Sequence, residues 1–130
     1  MTAQDALAQH RIARAHETLQ EADLLIQQRH YNAALNRLYY AAFHAARAAL
    51  ARPKVDSSKH NGVIALFQRH VVKSGAIPDE IACVLPQSFG RRLQTDYGDF
   101  KQATADELAR LRPDVETFVA ACERAIETLS

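Results

Sequence analysis

Arg37 and His44 are the two residues of this chain best suited to do chemistry together. They stand seven residues apart in Asn36-Arg37-Leu38-Tyr39-Tyr40-Ala41-Ala42-Phe43-His44-Ala45-Ala46-Arg47, a run without Gly or Pro. At about 100° per residue, seven helical steps come to nearly two turns, so both side chains share one face. Tyr40 and Arg47 fall on the same stripe, while Leu35, Leu38, Ala42, Ala46 and Ala49 fill other faces. An imidazole takes or gives a proton near neutral pH, and a guanidinium clamps a phosphate bidentately and stabilises developing charge. The pair points to phosphodiester chemistry. The ordinary alternative leaves Arg37 and Arg47 as solvated charges and His44 as a hydrogen-bonded packing residue.

Two further clusters carry polar groups. Ser57-Ser58-Lys59-His60-Asn61-Gly62 precedes an apolar helical pattern. A helix N-terminus presents free amides to an anion, so Lys59 and His60 are candidate phosphate contacts there. Plain capping by a serine beside exposed Lys59 and His60 explains the same residues. The spacing is not that of a P-loop, which needs other glycines and a preceding strand. Phe89-Gly90-Arg91-Arg92-Leu93-Gln94-Thr95-Asp96-Tyr97 sets two arginines before an Asp-Tyr pair. Arg91 and Arg92 are candidate phosphate contacts, and Tyr40, Asp96 and Tyr97 are candidate modification or dimer positions. The structural reading pairs Asp96 with Arg92 at i,i+4 and uses Tyr97 to seal the bundle end.

Helices must position all of these residues. No Gly or Pro occurs before Pro53, so side-chain signals alone place the first turn. Arg29-His30-Tyr31-Asn32 interrupts the apolar period, and Asn32 suits an N-cap. The reading is helix 1 over about 4–29 and helix 2 over about 32–52, ended by Arg52-Pro53. Ser57 or Ser58 caps helix 3, which runs to about Lys73 and stops at Ser74-Gly75. Pro78, Asp79 and Glu80 fit the first turn of helix 4, and Pro86 and Gly90 divide 78–97 into two pieces. Residues 96–100 read as a turn. Thr104 and Glu107 form a capping box for a last helix reaching about Leu129, kinked or split by Pro113.

Residues 1–130 are enough for one domain with its own core. Only four Gly and four Pro in a chain 48% hydrophobic favour an all-α, up-and-down bundle of four to five helices. The formal net charge of +1 gives no bulk electrostatic case for coating nucleic acid, so any such contact must be local. Cys83 and Cys122 lack a Cys-x-x-Cys spacing and read as small hydrophobes. The remaining histidines (His10, His16, His30, His70) show no ligand spacing, so no metal and no cofactor is expected. No leader pattern and no stretch of roughly 20 apolar residues is recognisable, so a soluble, cytoplasmic protein without membrane contact is expected.

Three segments, in this order, resemble the HEPN family, and in particular its small stand-alone prokaryotic members. They are Tyr31 to Arg47, Ser58-Lys59-His60-Asn61-Gly62-Val63, and Arg92-Leu93-Gln94-Thr95-Asp96-Tyr97-Gly98-Asp99-Phe100, joined by Lys73-Ser74-Gly75 and the Thr104 helix ending in Phe118-Val119. The resemblance covers essentially the whole chain. It implies a helical bundle that forms a homodimer and, in many members, a metal-independent endoribonuclease site across the dimer. There an arginine and a histidine four to six residues apart act on the phosphate and on the 2′-hydroxyl proton. Arg37 and His44, with six residues between, meet that spacing.

In members that act as toxins beside a minimal nucleotidyltransferase, the Arg-x4-His-x-Tyr motif lies late in the chain. Counted from Arg91, Asp96 stands in the histidine's place and Tyr97 is displaced by one. An ionised aspartate repels RNA phosphate and cannot replace imidazole at neutral pH. The late motif therefore reads as degenerate, so either Arg37 and His44 act instead or the chain no longer cleaves RNA. The expectation is a toxin-like HEPN ribonuclease paired with a nucleotidyltransferase, Tyr97 being the tyrosine that the partner would adenylylate. The competing expectation is an inactive module that binds nucleotide or the nucleotidyltransferase itself through Lys59, His60 and Arg92.

Overall fold

The computed structural model describes residues 1–98 and 101–129. All regular structure among them is helical: α1 (Ala3–Gln27), α2 (Tyr31–Ala51), α3 (His60–Phe67), α4 (Asp79–Ala82), α5 (Val84–Tyr97) and α6 (Ala105–Ile126). A π turn at Gln68–Val72 prolongs α3, and only Cys83 separates α4 from α5. Five rods result, as the composition implies. No helix among the described residues is long and apolar enough to cross a membrane.

The first two helices form the principal pair. Thr2 and Asp5 close a reciprocal capping box at the start of α1. Ala8, Ile12, Ala15, Leu19 and Ala22 are then buried at alternating spacings of four and three. Alanine at every seventh position lets the antiparallel α2 approach closely. Twelve of the 21 residues of α2 are buried, and it packs against α1, α3, α5 and α6, so it is the central rod. Burial of Leu35, Leu38 and Leu50 on it stabilises the fold by roughly 1.5–3 kcal/mol each.

Several local expectations are corrected. Asn32 is not the N-cap; His30 occupies that position without a side-chain bond. Asn32 instead accepts the Ala103 N–H at 2.8 Å and donates to the Gln102 side chain, tying α2 to the segment before α6. A tertiary partner has replaced the local one. The turn before it uses Arg29 at φ 61°, a left-handed conformation at a non-glycine residue. Neither Ser57 nor Ser58 caps α3; Lys59 holds that position. Ser57 Oγ lies over Gly62, where a Cβ would sit 2.0 Å from it, so only glycine admits this crossing.

The break within 78–97 falls at Cys83. Pro86 is in the first turn of α5, where a missing N–H costs nothing, and the helix continues through Gly90. Pro113 does not split α6, because the carbonyl it leaves without a donor belongs to the exposed Ala109. Thr104 does cap α6, accepting the Glu107 N–H at 3.2 Å, but the Glu107 side chain turns to Arg91 rather than back to the cap. Asp96 and Tyr97 end α5 rather than begin a turn; Asp99 and Phe100 lie outside the described residues. Tyr97 is 81% exposed, so it does not seal the bundle.

Candidate functional site

The two sides of α2 carry different chemistry. On one, Arg37, Tyr40, His44 and Arg47 form the expected stripe, all partly buried, beside α1. The Arg37 guanidinium lies 4.9 Å from the Tyr40 ring centre, donates to Asn36 Oδ1 at 2.7 and 3.2 Å, and sits 3.8 Å from Glu21 of α1. Burial, and then the charges of Arg14, Arg47, Arg37 and Arg11, push the His44 pKa down to about 4. His44 is thus a neutral imidazole at pH 7, within electrostatic reach of four cations from two helices.

Each of those cations has a carboxylate neighbour. Arg14 donates to Glu17 at 2.9 Å, while Arg11 and Arg47 share Asp56, in the loop between α2 and α3. The positive charge is therefore local and partly offset, which agrees with a chain of near-neutral net charge. The guanidiniums that keep this imidazole neutral also weaken it as a base, and a phosphate held by them would offset that charge and let it take a proton from a hydroxyl.

The adjoining side is an aromatic stack, continuous with the stripe through Tyr40, whose ring lies 6.2 Å from His44 and 5.8 Å from His60. Tyr39 is fully buried, and its hydroxyl meets His60 Nδ1 at 2.5 Å. His60 lies between Phe43, at 4.6 Å, and Phe89, at 5.6 Å and nearly parallel. Arg92 reaches over the Tyr39 and Tyr40 rings at 5.8 and 5.4 Å. Burial raises the Tyr39 pKa, and burial with the Arg92 charge lowers that of His60. Arg92 Nε stands 3.1 Å from Asp96, the expected i,i+4 pair, although out of line for a hydrogen bond.

The paired arginines of α5 diverge. Arg91 faces α6 and grips Glu107 at 2.5 and 2.7 Å, so its guanidinium is committed there and does not join Arg92. Lys59 is exposed at the start of α3, while His60 beside it points into the stack. His16 meets Glu123 of α6 at 2.9 Å. Cys122 is buried, which raises its thiol pKa, whereas Cys83 is partly exposed. The residues that sequence reasoning missed are Arg11 and Arg14 on α1 and Asp56 in the loop. Arg11 and Arg14 stand three apart on one helix face, but only the register of α1 against α2 brings them to His44.

An all-helical bundle of this kind defines a class of helical domains, and its family follows from similarity to known proteins. The chain belongs to the HEPN family: the HEPN domain matches residues 8–125. It is similar to a UPF0332 protein of Thermotoga maritima, 34% identical over 89% of this chain and 88% of that protein. It is also similar to a Methanocaldococcus jannaschii protein named "Putative toxin MJ0605", 31% identical over 88% of this chain and 85% of that one. A UPF0332 protein of Archaeoglobus fulgidus is 31% identical over 89% and 92%.

Proposed function

We propose that this chain is a toxin-like, cytoplasmic HEPN protein that acts as a metal-independent endoribonuclease at a homodimer cleft. The observation that supports this reading most is His44, neutral and half-buried among Arg11, Arg14, Arg37 and Arg47. His44 takes the proton of an RNA 2′-hydroxyl as its oxygen bonds to the adjacent phosphorus. Arg37 stabilises the charge gathering on the phosphate oxygens. The P–O5′ bond then breaks as the departing oxygen takes the proton that the His44 imidazolium carries, leaving a 2′,3′-cyclic phosphate, a 5′-hydroxyl and a neutral His44, with no oxidant or metal needed. The toxin designation of relatives is consistent with such an activity. In this reading a minimal nucleotidyltransferase is the partner, and the exposed Tyr97 is the side chain open to its modification.

Cleavage of a mixed RNA substrate in EDTA tests the proposal. His44→Ala and Arg37→Ala are each expected to lose about 10²–10⁴-fold in rate while keeping the wild-type circular dichroism spectrum. Cleavage that survives both substitutions would reject this site. A second reading, an inactive module binding nucleotide or the nucleotidyltransferase, is favoured by the Arg92–Asp96 pair and the partly exposed rings of Tyr40, Phe43 and Phe89 beside His60. It predicts nucleotide binding by calorimetry that Arg92→Ala weakens, without RNA cleavage by the unmodified protein.

A further inference from the structure

Asp56 receives four hydrogen bonds from three donor groups. Its Oδ2 accepts from Arg47 Nη2 at 2.8 Å and from Arg11 Nη2 at 3.2 Å. Its Oδ1 accepts from Arg47 Nε at 3.2 Å and from the Ser57 N–H at 2.8 Å. Two guanidiniums and a backbone amide thus converge on one small anion. The two cations have anchors besides it. Arg11 is only 12% exposed and also donates from Nη1 to the Arg47 carbonyl at 3.0 Å. The Arg47 guanidinium rests 6.0 Å from the Phe43 ring centre. Asp56 is the most exposed member: its side chain is 46% exposed and sits in a loop.

We infer that the Asp56 carboxylate occupies a phosphodiester seat, and that an RNA phosphate displaces it to bind Arg11 and Arg47 beside His44. This rests on reading the α1–α2 groove as the RNA-acting site. Carboxylate and phosphodiester each bring one negative charge and accept the same forked donors, so they exchange without changing the charge of the groove. Arg47 lies three residues after His44 on the same stripe, which puts the seat next to the imidazole. The Asp56 pKa is lowered, chiefly by its hydrogen bond from Arg47, so the competing group is ionised at neutral pH. The tethered carboxylate therefore weakens RNA binding, and Asp56 is a positioning and inhibitory residue rather than a catalytic one.

The test is fluorescence polarisation with a 2′-O-methyl RNA oligonucleotide, which binds but cannot be cleaved through its 2′-oxygen. Asp56→Asn is expected to bind about tenfold more tightly than wild type, the effect of removing one charge-assisted competitor. Arg47→Gln is expected to weaken binding and to reduce the slope of log affinity against log salt by about one. Both variants are checked by circular dichroism melts first. Unchanged affinity in Asp56→Asn together with an unchanged salt slope in Arg47→Gln would overturn the seat, even if His44→Ala had abolished cleavage. Tightening for inorganic phosphate but not for the oligonucleotide, at matched ionic strength, would overturn RNA as the ligand. Tightening for the oligonucleotide in a protein that cleaves nothing would uphold the seat and reject only the ribonuclease.

Discussion

The two sides of α2 differ in what they would lose to a substitution. Facing α3 and α5, Tyr39, His60 and Phe89 pack ring on ring, with one hydroxyl–imidazole hydrogen bond at their centre. Facing α1, the Arg37-to-Arg47 stripe is only half-buried, and carboxylates placed within side-chain reach partner its arginines. The first side holds helices together through buried area. The second holds charges near one another at modest benefit to stability, since partly exposed ion pairs contribute little. Cations placed near a neutral imidazole without much gain in stability are what the proposed function would require.

Substitutions on the helix can break that contrast. Ala42→Pro removes a backbone donor in the middle of α2 and should destabilise the fold by roughly 3 kcal/mol or more, seen as a collapsed circular dichroism melt. Tyr39→Ala should cost about 3–5 kcal/mol by opening a cavity among the rings. Little loss in Tyr39→Ala would mean that the aromatic side does not organise the fold, and little loss in Ala42→Pro would contradict the helix itself.

His44 links the second side to pH. Its folded pKa of about 4 lies below the ordinary 6.5, so the unfolded chain binds the proton more readily. The contribution is present above pH 6.5 and is lost as pH falls from there to about 4. His60, shifted in the same direction by burial and Arg92, adds to the loss. Asp56 and Glu107, with lowered pKa values, act only at lower pH, where unfolded carboxylates protonate. His44→Gln should flatten the decline over pH 6.5–4 by up to roughly 2 kcal/mol once solvent screening is allowed for, read from denaturant midpoints. Tyr39→Phe should cost about 1 kcal/mol by leaving His60 Nδ1 unpartnered. Arg37→Ala is expected to cost the least, about 0.5 kcal/mol, because Glu21 is a distant and exposed partner. A large loss there would place the stripe among the structural contacts and erase the contrast.

Much of this was legible before any coordinates. The seven-residue spacing put Arg37 and His44 on one face. The Arg92–Asp96 pair followed from i,i+4 spacing. What was not legible depends on partners far along the chain. Asn32 abandons its cap for Ala103, and Glu107 its cap for Arg91, because a tertiary hydrogen bond is available at each place. Tyr39 and Tyr40 look alike in the sequence, yet one is sealed beneath His60 and the other is partly exposed, its ring bridging His44 and His60. Arg11, Arg14 and Asp56 belong to the groove through interhelical register and loop path, neither of which a helical period encodes.

The central claim is that burial and the arginine-lined groove keep His44 neutral, an imidazole that accepts a proton once a bound phosphate offsets the cations. An NMR titration of the histidine side chains, with His44 assigned by its loss in His44→Gln, tests that claim without any substrate. The account predicts a His44 midpoint near pH 4, well below those of exposed histidines in the same spectrum. A midpoint between 6 and 7 would contradict it, because the imidazole would then be neither desolvated nor held among the four cations.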